Sequence, residues 1–500
     1  MTSEAAGEPS RRGAVALGID IGSTNVKAVL VAVDGGVTEL AVCTAPTPRD
    51  ADELVRVVFD LVRSVLVSAP EPPAAVGVAS MAESGVPLGE DDSPLRPIVR
   101  WDGSDDTADL ERLLTDFGGE ALYAATGVPP LPKAPLAVWA RLRRTDPELW
   151  PQLRRWAGVA DLVGLALTGV LATDHTLAAR TMAYRTGDAD LPGSFDPELL
   201  AAVGLTPAQL PEVRRPGEPV GPVSREAAAA TGLAPGIPVH VAGHDHAVGA
   251  WAAGMREPGD AADSLGTAEA VLRVMPDPAD PAAVRPTGMS LTRTVTGEPL
   301  LLAGSANAGS FVRWWFAHRI GAHEPAEILD ALAAAPDGPT GILVLPYLAG
   351  RQTPHPDLSA DVRMYDGQGA ELPGRGGDPV LLARAMLEGV ALHARWMLES
   401  GADVAGPLAP PLRILGGPGG GNRTWMHLKA QAFGVPARLV TASEPVAAGA
   451  ALLAAARAGL LPGEAPLLPA TDLPGPSGDP YRQQYDRFTA AAAAGREGSR

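Results

Sequence analysis

The stretch G-I-D-I-G-S-T-N-V-K, residues 18–27, predicts how the chain begins to fold. Apolar residues at 14–19 and 26–33 are typical of two strands, and the small polar residues between them are typical of a turn. The segment is therefore expected to form a β-hairpin that opens a domain. A nucleotide-binding P-loop would instead pass from a strand through a loop into a helix.

The turn of this hairpin offers hydroxyls and backbone N–H groups that could cradle phosphate oxygens. The carboxylate of Asp20 could hold a hydrated magnesium ion, and the ammonium of Lys27 could neutralise a phosphate. A hairpin turn with solvent-facing polar groups explains the same residues equally well. The candidate phosphate-binding residues of the turn itself are Ser23, Thr24 and Asn25.

A second turn repeats this plan in the other half of the chain. The pair Gly266-Thr267 precedes an apolar strand predicted over 268–275, although a Gly-Thr pair is also common in ordinary turns. Strands and helices alternate around both turns, so the sequence predicts two α/β lobes. A glycine-rich loop at 416–421 then stands between a predicted strand and a predicted helix, where glycines would let a flat ring approach the backbone. A flexible linker is the alternative for this loop.

Between the two turns, the sequence A-G-H-D-H at 242–246 follows a strand-like run at 237–241. At the end of a buried strand, the carboxylate of Asp245 could accept a proton from a bound hydroxyl, and an ordinary Gly-Asp turn is the alternative. Alternation along an extended segment would place His244 and His246 on one face, opposite Asp245. The two histidines could bind a metal, or they could form hydrogen bonds near a substrate. In the second case, binding would change with pH near the usual histidine pKa of about 6.5.

The composition limits the classes of protein to which the chain can belong. Five hundred residues exceed one compact core and predict at least two domains. The formal charge of −18 and the lack of a basic run argue against a nucleic-acid partner. A single cysteine, Cys43, excludes an internal disulfide and fits a reduced, cytoplasmic compartment. The sequence shows neither a signal peptide nor an apolar run long enough to span a membrane.

In their order along the chain, these motifs resemble those of the FGGY carbohydrate kinases, which belong to one superfamily with actin and the heat-shock chaperone ATPases. The resemblance extends over residues 15–460. Residues 18–27 and Gly266-Thr267 resemble the two phosphate motifs, and 416–422 with 444–451 resembles the adenosine region. Further matching segments are Arg100-Trp101-Asp102, 161–169, 174–179 and Ala308-Gly309-Ser310.

The resemblance implies an α/β fold of two ribonuclease H-like, actin-type ATPase lobes with a cleft between the domains. It implies a transferase that moves the γ-phosphoryl group of ATP, with Mg²⁺, to a hydroxyl of a small sugar, sugar acid or polyol, and Asp245 falls where the family has its catalytic aspartate. Gly309 would lie beside the nucleotide. Trp101 would either stack on the substrate or pack in the core, and an exposed loop acid is the alternative for Glu83. The implied adenosine-loop residues are Gly417, Gly419 and Asn422, and the implied substrate residues are Glu83, Trp101, Asp102, His244 and Asp245.

The expected domains follow from the positions of these motifs. An N-terminal lobe at 14–246 would carry the substrate residues and the first phosphate motif, and a C-terminal lobe at 247–470 would carry the second phosphate motif and the adenosine motif. Residues 1–13 are expected to be disordered, and 471–500 are expected to form a tail. A homodimer is compatible with the resemblance, whereas membranes and nucleic acids are not expected partners.

Three departures from the family pattern leave other functions open. Residues 351–354 read Arg-Gln-Thr-Pro where the family usually has Glu-Arg-Thr-Pro, 360–362 read Ala-Asp-Val where it often has Ala-Arg-Gly, and Pro418 replaces a glycine. A catalytically weak relative that senses sugar or nucleotide is therefore the first alternative to a kinase. A chaperone-like or actin-like ATPase is the second, although no long peptide-binding segment or polymer-forming insert stands out.

Overall fold

The computed structural model describes residues 13–102, 106–187, 191–321, 325–333, 338–373, 377–416, 423–473 and 475–494. These residues form two lobes, each built around a mixed β-sheet, which confirms the expectation of two α/β lobes. The segment 1–13, expected to be disordered, lies outside the described residues except for Gly13. Within the described ranges, no helix combines the length and the apolar composition that a membrane span requires.

The N-terminal lobe contains the secondary structure up to residue 252. Its strands are β1 (Ala14–Ile21), β2 (Asn25–Val33), β3 (Val37–Pro46), β4 (Val76–Ser80), β5 (Gly85–Leu88), β6 (Arg155–Gly158), β7 (Ala172–Asp174), β8 (Glu212–Arg214), β9 (Gly221–Pro222) and β10 (Pro238–His244). Its helices are α1 (Ala51–Leu66), α2 (Ala108–Phe117), α3 (Gly119–Thr126), α4 (Pro135–Thr145), α5 (Val159–Thr168), α6 (His175–Ala178), α7 (Pro197–Ala202), α8 (Arg225–Thr231) and α9 (Asp245–Ala252), with 3₁₀ turns at Glu90–Asp92 and Pro207–Gln209.

The main sheet of this lobe has the strand order β3-β2-β1-β4-β10-β9. Strands β1 and β2 are the predicted hairpin, in which Asp20 stands opposite Lys27. Strand β1 pairs in parallel with β4, and β4 pairs in parallel with β10. Because the carboxyl ends of parallel strands meet at one edge of a sheet, the first turn and Asp245 lie at the same edge.

The C-terminal lobe follows a short connection after α9. Its strands are β11 (Ala261–Leu265), β12 (Glu269–Val274), β13 (Ser290–Arg293), β14 (Pro299–Ser305), β15 (Leu343–Pro346), β16 (Val362–Tyr365), β17 (Leu412–Gly416), β18 (Ala437–Val440) and β19 (Ala470–Leu473). Its helices are α10 (Pro281–Val284), α11 (Gly309–Trp315), α12 (Pro325–Leu332), α13 (Pro379–Ser400), α14 (Ala402–Ala405), α15 (Arg423–Phe433), α16 (Pro445–Arg457) and α17 (Arg482–Ala494), with a 3₁₀ turn at Arg285–Thr287 and a π-helical turn at Phe316–Ile320.

The main sheet of the second lobe has the order β13-β14-β12-β11-β17-β18-β19. Strands β11 and β12 form an antiparallel hairpin whose turn contains Gly266 and Thr267. Strand β11 also pairs in parallel with β17, the strand that precedes the glycine-rich loop. The second lobe therefore places its hairpin turn at a sheet edge in the same way as the first.

Helices α9 and α16 pack between the two sheets. Helix α16 lies so close to the N-terminal sheet that a Cβ atom on Gly18 would stand 1.8 Å from the carbonyl oxygen of Ala447, and one on Gly77 would stand 2.0 Å from that of Ala450. No side chain fits at such a separation. Glycines in β1 and β4 thus allow the alanine-rich helix to rest directly on the strands that lead to the active-site edge.

We expect Gly18→Ala to destabilise the protein by about 1–3 kcal/mol, because the added methyl group meets backbone atoms that cannot move unless α16 leaves the sheet. Denaturant unfolding monitored by tryptophan fluorescence measures this loss. Gly36→Ala is the matched control, since a Cβ there meets nothing within 4 Å, and its effect should stay within about 0.5 kcal/mol. Equal stability of the two variants would show that the close approach of α16 is not required.

Two expected domain limits differ from the structure. The expected tail at 471–500 includes the end of β19 and helix α17, whose Tyr485 and Phe488 side chains are buried in the core of the second lobe. These apolar side chains lie on one face of the helix, and their burial holds it in place. The limit expected after residue 246 falls inside α9. A helix is one hydrogen-bonded unit, so we place the limit between the lobes after Ala252.

Candidate active site

The two predicted phosphate turns face each other across the lobes. The hydroxyl oxygens of Thr24 and Thr267 are 3.4 Å apart, although 243 residues separate them in the chain. The second turn also holds the start of α11, because the backbone N–H of Gly309 donates to the carbonyl of Gly266 at 3.2 Å and that of Ser310 donates to Thr267 at 3.1 Å. The structure therefore brings Thr24, Gly266, Thr267 and Gly309 together as the sequence predicted.

Behind the first turn, Lys27 forms one ion pair with Asp20 of the same lobe and another with Glu444 of the other lobe. The Lys27 ammonium lies 3.3 Å from Oδ2 of Asp20 and 2.9 Å from Oε2 of Glu444. Burial disfavours the charge of this lysine, but the two carboxylates raise its pKa above the usual value. Both carboxylates contact the ammonium, so Lys27 orients Asp20 in this structure. That Lys27 neutralises a phosphate stays a prediction.

The carboxylate of Asp20 is suited to a cation. Its side chain is buried, and burial together with the negative charge of Asp245 raises its pKa to about 6, against the lowering effect of Lys27. Among the described residues, its Oδ1 atom is buried without a hydrogen-bond partner. An oxygen atom in that situation is a fitting ligand, direct or through water, for a magnesium ion. The effect of Asp245 on this pKa also shows that the two carboxylates lie within electrostatic range.

Asp245 stands at the junction of β10 and α9. Gly243 precedes it with a φ of +130°, and a Cβ there would lie 2.4 Å from Oγ1 of Thr176, so the sharp exit from the strand requires glycine. The Oδ1 atom of Asp245 accepts a hydrogen bond from the backbone N–H of His246 at 2.7 Å. The side chain remains partly exposed at 20%. Local backbone geometry thus presents this carboxylate at the sheet edge.

The prediction that His244 and His246 point away from Asp245 is wrong. The Nε2 atom of His244 lies 3.2 Å from Oδ1 of Asp245, and Nε2 of His246 lies 3.9 Å from the same oxygen. The reason is that α9 begins at Asp245, so the alternation of a strand ends there. His246 is oriented by Ser264 of the other lobe, with Nδ1 and the serine oxygen 2.8 Å apart.

His244, Asp245 and His246 form a group of possible metal ligands, for which the sequence had offered only the two histidines. Their ligand atoms lie within 4.8 Å of one another, and the third ligand would be Asp245 itself. A metal bound there would occupy the carboxylate that is predicted to accept a proton. The contacts described above also explain both histidines as groups that orient Asp245.

We expect His244 to remain uncharged across the neutral pH range, in contrast to the prediction of a change near pH 6.5. Burial lowers its pKa to about 4, and Asp245 only partly offsets this effect. As the pH falls from 8 to 5.5, the imidazole therefore stays neutral. The pH profiles of kcat/KM for the wild type and for His244→Gln should have the same shape over this range. A step near pH 6.5 that is present only in the wild type would contradict this assignment.

Glu83 is not the exposed loop acid of the alternative interpretation. Its Oε1 atom accepts hydrogen bonds from Nε and Nη2 of Arg180 at 3.1 and 2.6 Å, and the Lys133 ammonium is 3.8 Å away. Burial would raise the pKa of this carboxyl, but Lys133 and Arg180 lower it to about 2. Glu83 is therefore ionised and buried, and Arg180 already holds one of its oxygens.

Sequence reasoning missed Arg180 and Lys133. Arg180 directly follows the matching segment 174–179, and its Nη1 atom also donates to Ser290 of β13 at 2.7 Å, which links this cluster to the second lobe. Neither residue belongs to a recognisable pattern, so only their contacts with Glu83 single them out. The negative net charge of the whole chain also gave no sign of a local group of positive charges.

Trp101 and Asp102 occupy different surroundings. The Trp101 ring lies beneath the Lys133 ammonium, which is 5.2 Å from the ring centroid, and its other contacts are with the core of the first lobe. Asp102 instead forms a two-bond ion pair with Arg100, both bonds measuring 2.9 Å, and the hydrogen bonds from Arg100 lower its pKa. Arg100 in turn donates to the carbonyl of Ser23 at 2.8 Å. Asp102 thus supports the first turn through Arg100, and its role as a substrate residue stays a prediction.

A buried ionic cluster lies below the second turn and was also missed. Lys429 of α15 contacts the carboxylates of Asp263 on β11 and Glu269 on β12, and all three side chains are fully buried. Burial and the neighbouring Asp263 raise the pKa of Glu269 to about 8, although Lys429 opposes this shift. The cluster ties the helix that follows the glycine-rich loop to both strands of the second hairpin.

Two domain models of one protein family match the two lobes of the chain. Residues 15–252 match the N-terminal domain of the FGGY family of carbohydrate kinases, and residues 261–458 match the C-terminal domain of the same family. The chain belongs to the FGGY family of carbohydrate kinases. As a member of this family, it is an ATP-dependent carbohydrate kinase, and a small sugar-type molecule is its substrate.

This FGGY kinase is similar to relatives with different names. It is 25% identical over 365 residues to a gluconokinase of Bacillus subtilis (strain 168), covering 68% of this chain and 69% of the relative. It is 29% identical over 400 residues to a xylulose kinase of Streptomyces rubiginosus, covering 79% and 76%. The crystal structure of gluconate kinase from Lactobacillus acidophilus aligns with a TM-score of 0.80 at 20% identity over 96% of this chain and 98% of that one. The predicted two-lobed actin-type ATPase fold is confirmed.

The departures from the FGGY pattern at 351–352 have structural explanations. Arg351 is fully buried and donates to the carbonyls of His355 at 3.0 Å and Ala492 at 2.7 Å, so it anchors the C-terminal helix α17. Gln352 accepts from the backbone N–H of Ala306 at 3.2 Å, near the start of α11. Asp361 is exposed at the start of β16. Pro418 and the predicted adenosine residues Gly417, Gly419 and Asn422 lie outside the described residues.

Proposed function

We propose that this kinase transfers the γ-phosphoryl group of ATP to a hydroxyl of a small sugar, sugar acid or polyol, with Asp245 as the general base. The observation that carries the proposal is the convergence of three elements at one place. The two turns meet at Thr24 and Thr267, 3.4 Å apart, and Asp245 follows strand β10 at the sheet edge where strand β1 leads into the first turn.

The surroundings of Asp245 suit proton transfer. The His246 N–H and the His244 ring hold Oδ1, at 2.7 and 3.2 Å, and among the described residues no hydrogen bond reaches Oδ2. The Oδ2 atom is therefore the one that would accept the proton of the substrate hydroxyl. As that proton leaves, the hydroxyl oxygen forms a bond to the γ-phosphorus, and the bond from this phosphorus to the bridging oxygen breaks and releases ADP.

The two turns would bind the phosphates of ATP through backbone N–H groups and the hydroxyls of Ser23, Thr24 and Thr267. Asn25 supports this turn from within, since its carbonyl accepts from the N–H of Gly22 at 3.0 Å. Asp20 would hold a magnesium ion, whose charge offsets that of the phosphate oxygens as they approach the two carboxylates. Together these groups keep the donor in place while Asp245 deprotonates the acceptor.

The test is ADP release with Mg·ATP against a panel of aldoses, ketoses, alditols and sugar acids of four to six carbons. We expect ADP to form only when a suitable acceptor is present, and to require Mg²⁺. Binding of a sugar without turnover across the panel would instead indicate a sensor. ATP hydrolysis that is independent of every sugar would contradict the assignment of Asp245 as a base for a sugar hydroxyl.

A further inference from the structure

The charged side chains around Glu83 carry more positive than negative charge. Glu83 faces two cations, Arg180 at 2.6 Å and Lys133 at 3.8 Å. One positive charge in this group is therefore left without a counter-ion. A hydroxyl group can accept a hydrogen bond from such a cation but does not neutralise its charge, whereas an anionic group does both and forms the stronger, charge-assisted bond.

Lys133 is the cation that remains available. Arg180 uses Nε and Nη2 for Glu83 and Nη1 for Ser290, and its side chain is only 6% exposed. Among the described residues, the one ion pair of the Lys133 ammonium is a long contact of 3.8 Å with Glu83, and its side chain is 31% exposed. The Trp101 ring below it, 5.2 Å away, holds the ammonium by a cation–π contact and leaves its other N–H groups free to bind a ligand.

The position of Lys133 relative to the base is also favourable. From Asp245 the contacts run to His244 at 3.2 Å, and His244 is paired with Ser80 at the end of β4, three residues before Glu83. Glu83 then contacts Lys133 at 3.8 Å. This group of side chains therefore has a negative end at the base and a positive end at Lys133. A molecule with a hydroxyl at one end and an anionic group at the other matches this polarity.

We infer that the acceptor is a sugar acid, and that Lys133 binds its carboxylate while Asp245 deprotonates a hydroxyl at the other end. This inference rests on the proposed function, since it assigns the acceptor of that reaction. A single carboxylate supplies the one negative charge that the group lacks. A lysine binds it as a point charge, and Arg180 and Glu83 fix the position of the surrounding groups.

The experiment compares aldonic acids with the alditols of the same chain length and stereochemistry. We expect kcat/KM to be at least about tenfold higher for the acid, as for one charge-assisted hydrogen bond. Lys133→Met should lower kcat/KM for the acid by roughly 10- to 100-fold, mainly through KM, and lower it far less for the alditol. Lys133→Arg, which keeps the charge, should retain most of the preference.

Two results would overturn the inference and leave the kinase assignment intact. The first is a higher kcat/KM of the wild type for the alditol or the uncharged sugar than for the acid. The second is an equal loss of kcat/KM for acid and alditol in Lys133→Met, which would mean that Lys133 only supports Glu83. If no acceptor yields ADP, the proposed reaction fails, and calorimetric binding of the aldonic acids to wild type and Lys133→Met decides the inference separately. Binding that depends on Lys133 would then support it, and binding that does not would overturn it.

Discussion

Asp245→Asn is expected to lower kcat by about 10²- to 10⁴-fold, which is the range that a positioned general base contributes. Asparagine has the same shape as aspartate, and its side-chain oxygen can still accept from the His246 N–H as Oδ1 of Asp245 does at 2.7 Å. The start of α9 should therefore keep its conformation. What the variant loses is an atom that can take the proton of the acceptor hydroxyl. Single-turnover measurements of phosphoryl transfer with saturating ATP and acceptor report this step directly.

The affinity for ATP separates this role from a structural one. ATP binding by calorimetry should be retained in Asp245→Asn, because in the proposed arrangement the phosphates would contact the two turns and not this carboxylate. Asp34→Asn is the matched control, since Asp34 is exposed in the turn after β2 and should leave both quantities unchanged. If Asp245→Asn retained the wild-type kcat, or lost activity only through weaker ATP binding, Asp245 would not be the base.

Short-range sequence patterns determine the parts of the site that were predictable. Both hairpins follow from apolar strands interrupted by small polar residues, and the exposure of Asp245 follows from a glycine at 243 with a positive φ. The positions of Thr24 and Thr267 beside each other then require only that each turn lie at the edge of its sheet. The chain order of the motifs supplied the remaining information.

The charged groups could not be predicted because their partners are distant in the chain. Arg180 and Glu83 are separated by 97 residues, and Lys429 and Glu269 by 160. A sequence shows that a lysine is present, but its partner decides whether it can be buried. Lys27 illustrates the same limit, because the motif that contains it gives no sign of its contact with Glu444 from the other lobe.

Two other errors had signals in the sequence. The pair Tyr485 and Phe488 is spaced for one face of a helix, which is the reason α17 is folded, but the surrounding proline, glycine and charge obscured it. The two histidines beside Asp245 were assigned to the opposite face because the strand was extended by two residues too many. The glycine at 243 marks where the strand bends toward the helix.

Lys429→Met is expected to destabilise the protein by roughly 3–5 kcal/mol, the usual effect of removing one partner of a buried ion pair. Methionine fills similar space, so the packing of α15 changes little, but the Asp263 carboxylate is left fully buried with no cation in contact. Thermal unfolding should show the melting temperature falling by roughly 10 °C.

Lys133→Met is the matched control for this variant, because it makes the same chemical change at a side chain that is 31% exposed. Its effect on stability should be smaller, about 1 kcal/mol, because Glu83 keeps its two hydrogen bonds from Arg180. The double variant Asp263→Asn with Lys429→Met removes the buried carboxylate together with its cation, so it should recover a large part of the lost stability. A single Lys429→Met variant as stable as Lys133→Met would mean that water reaches the cluster. If the double variant is instead less stable than the single one, the loss comes from packing and not from an unpaired charge. Because Lys429 ties α15 to both strands of the second hairpin, a variant that remains folded should also bind ATP more weakly than the control.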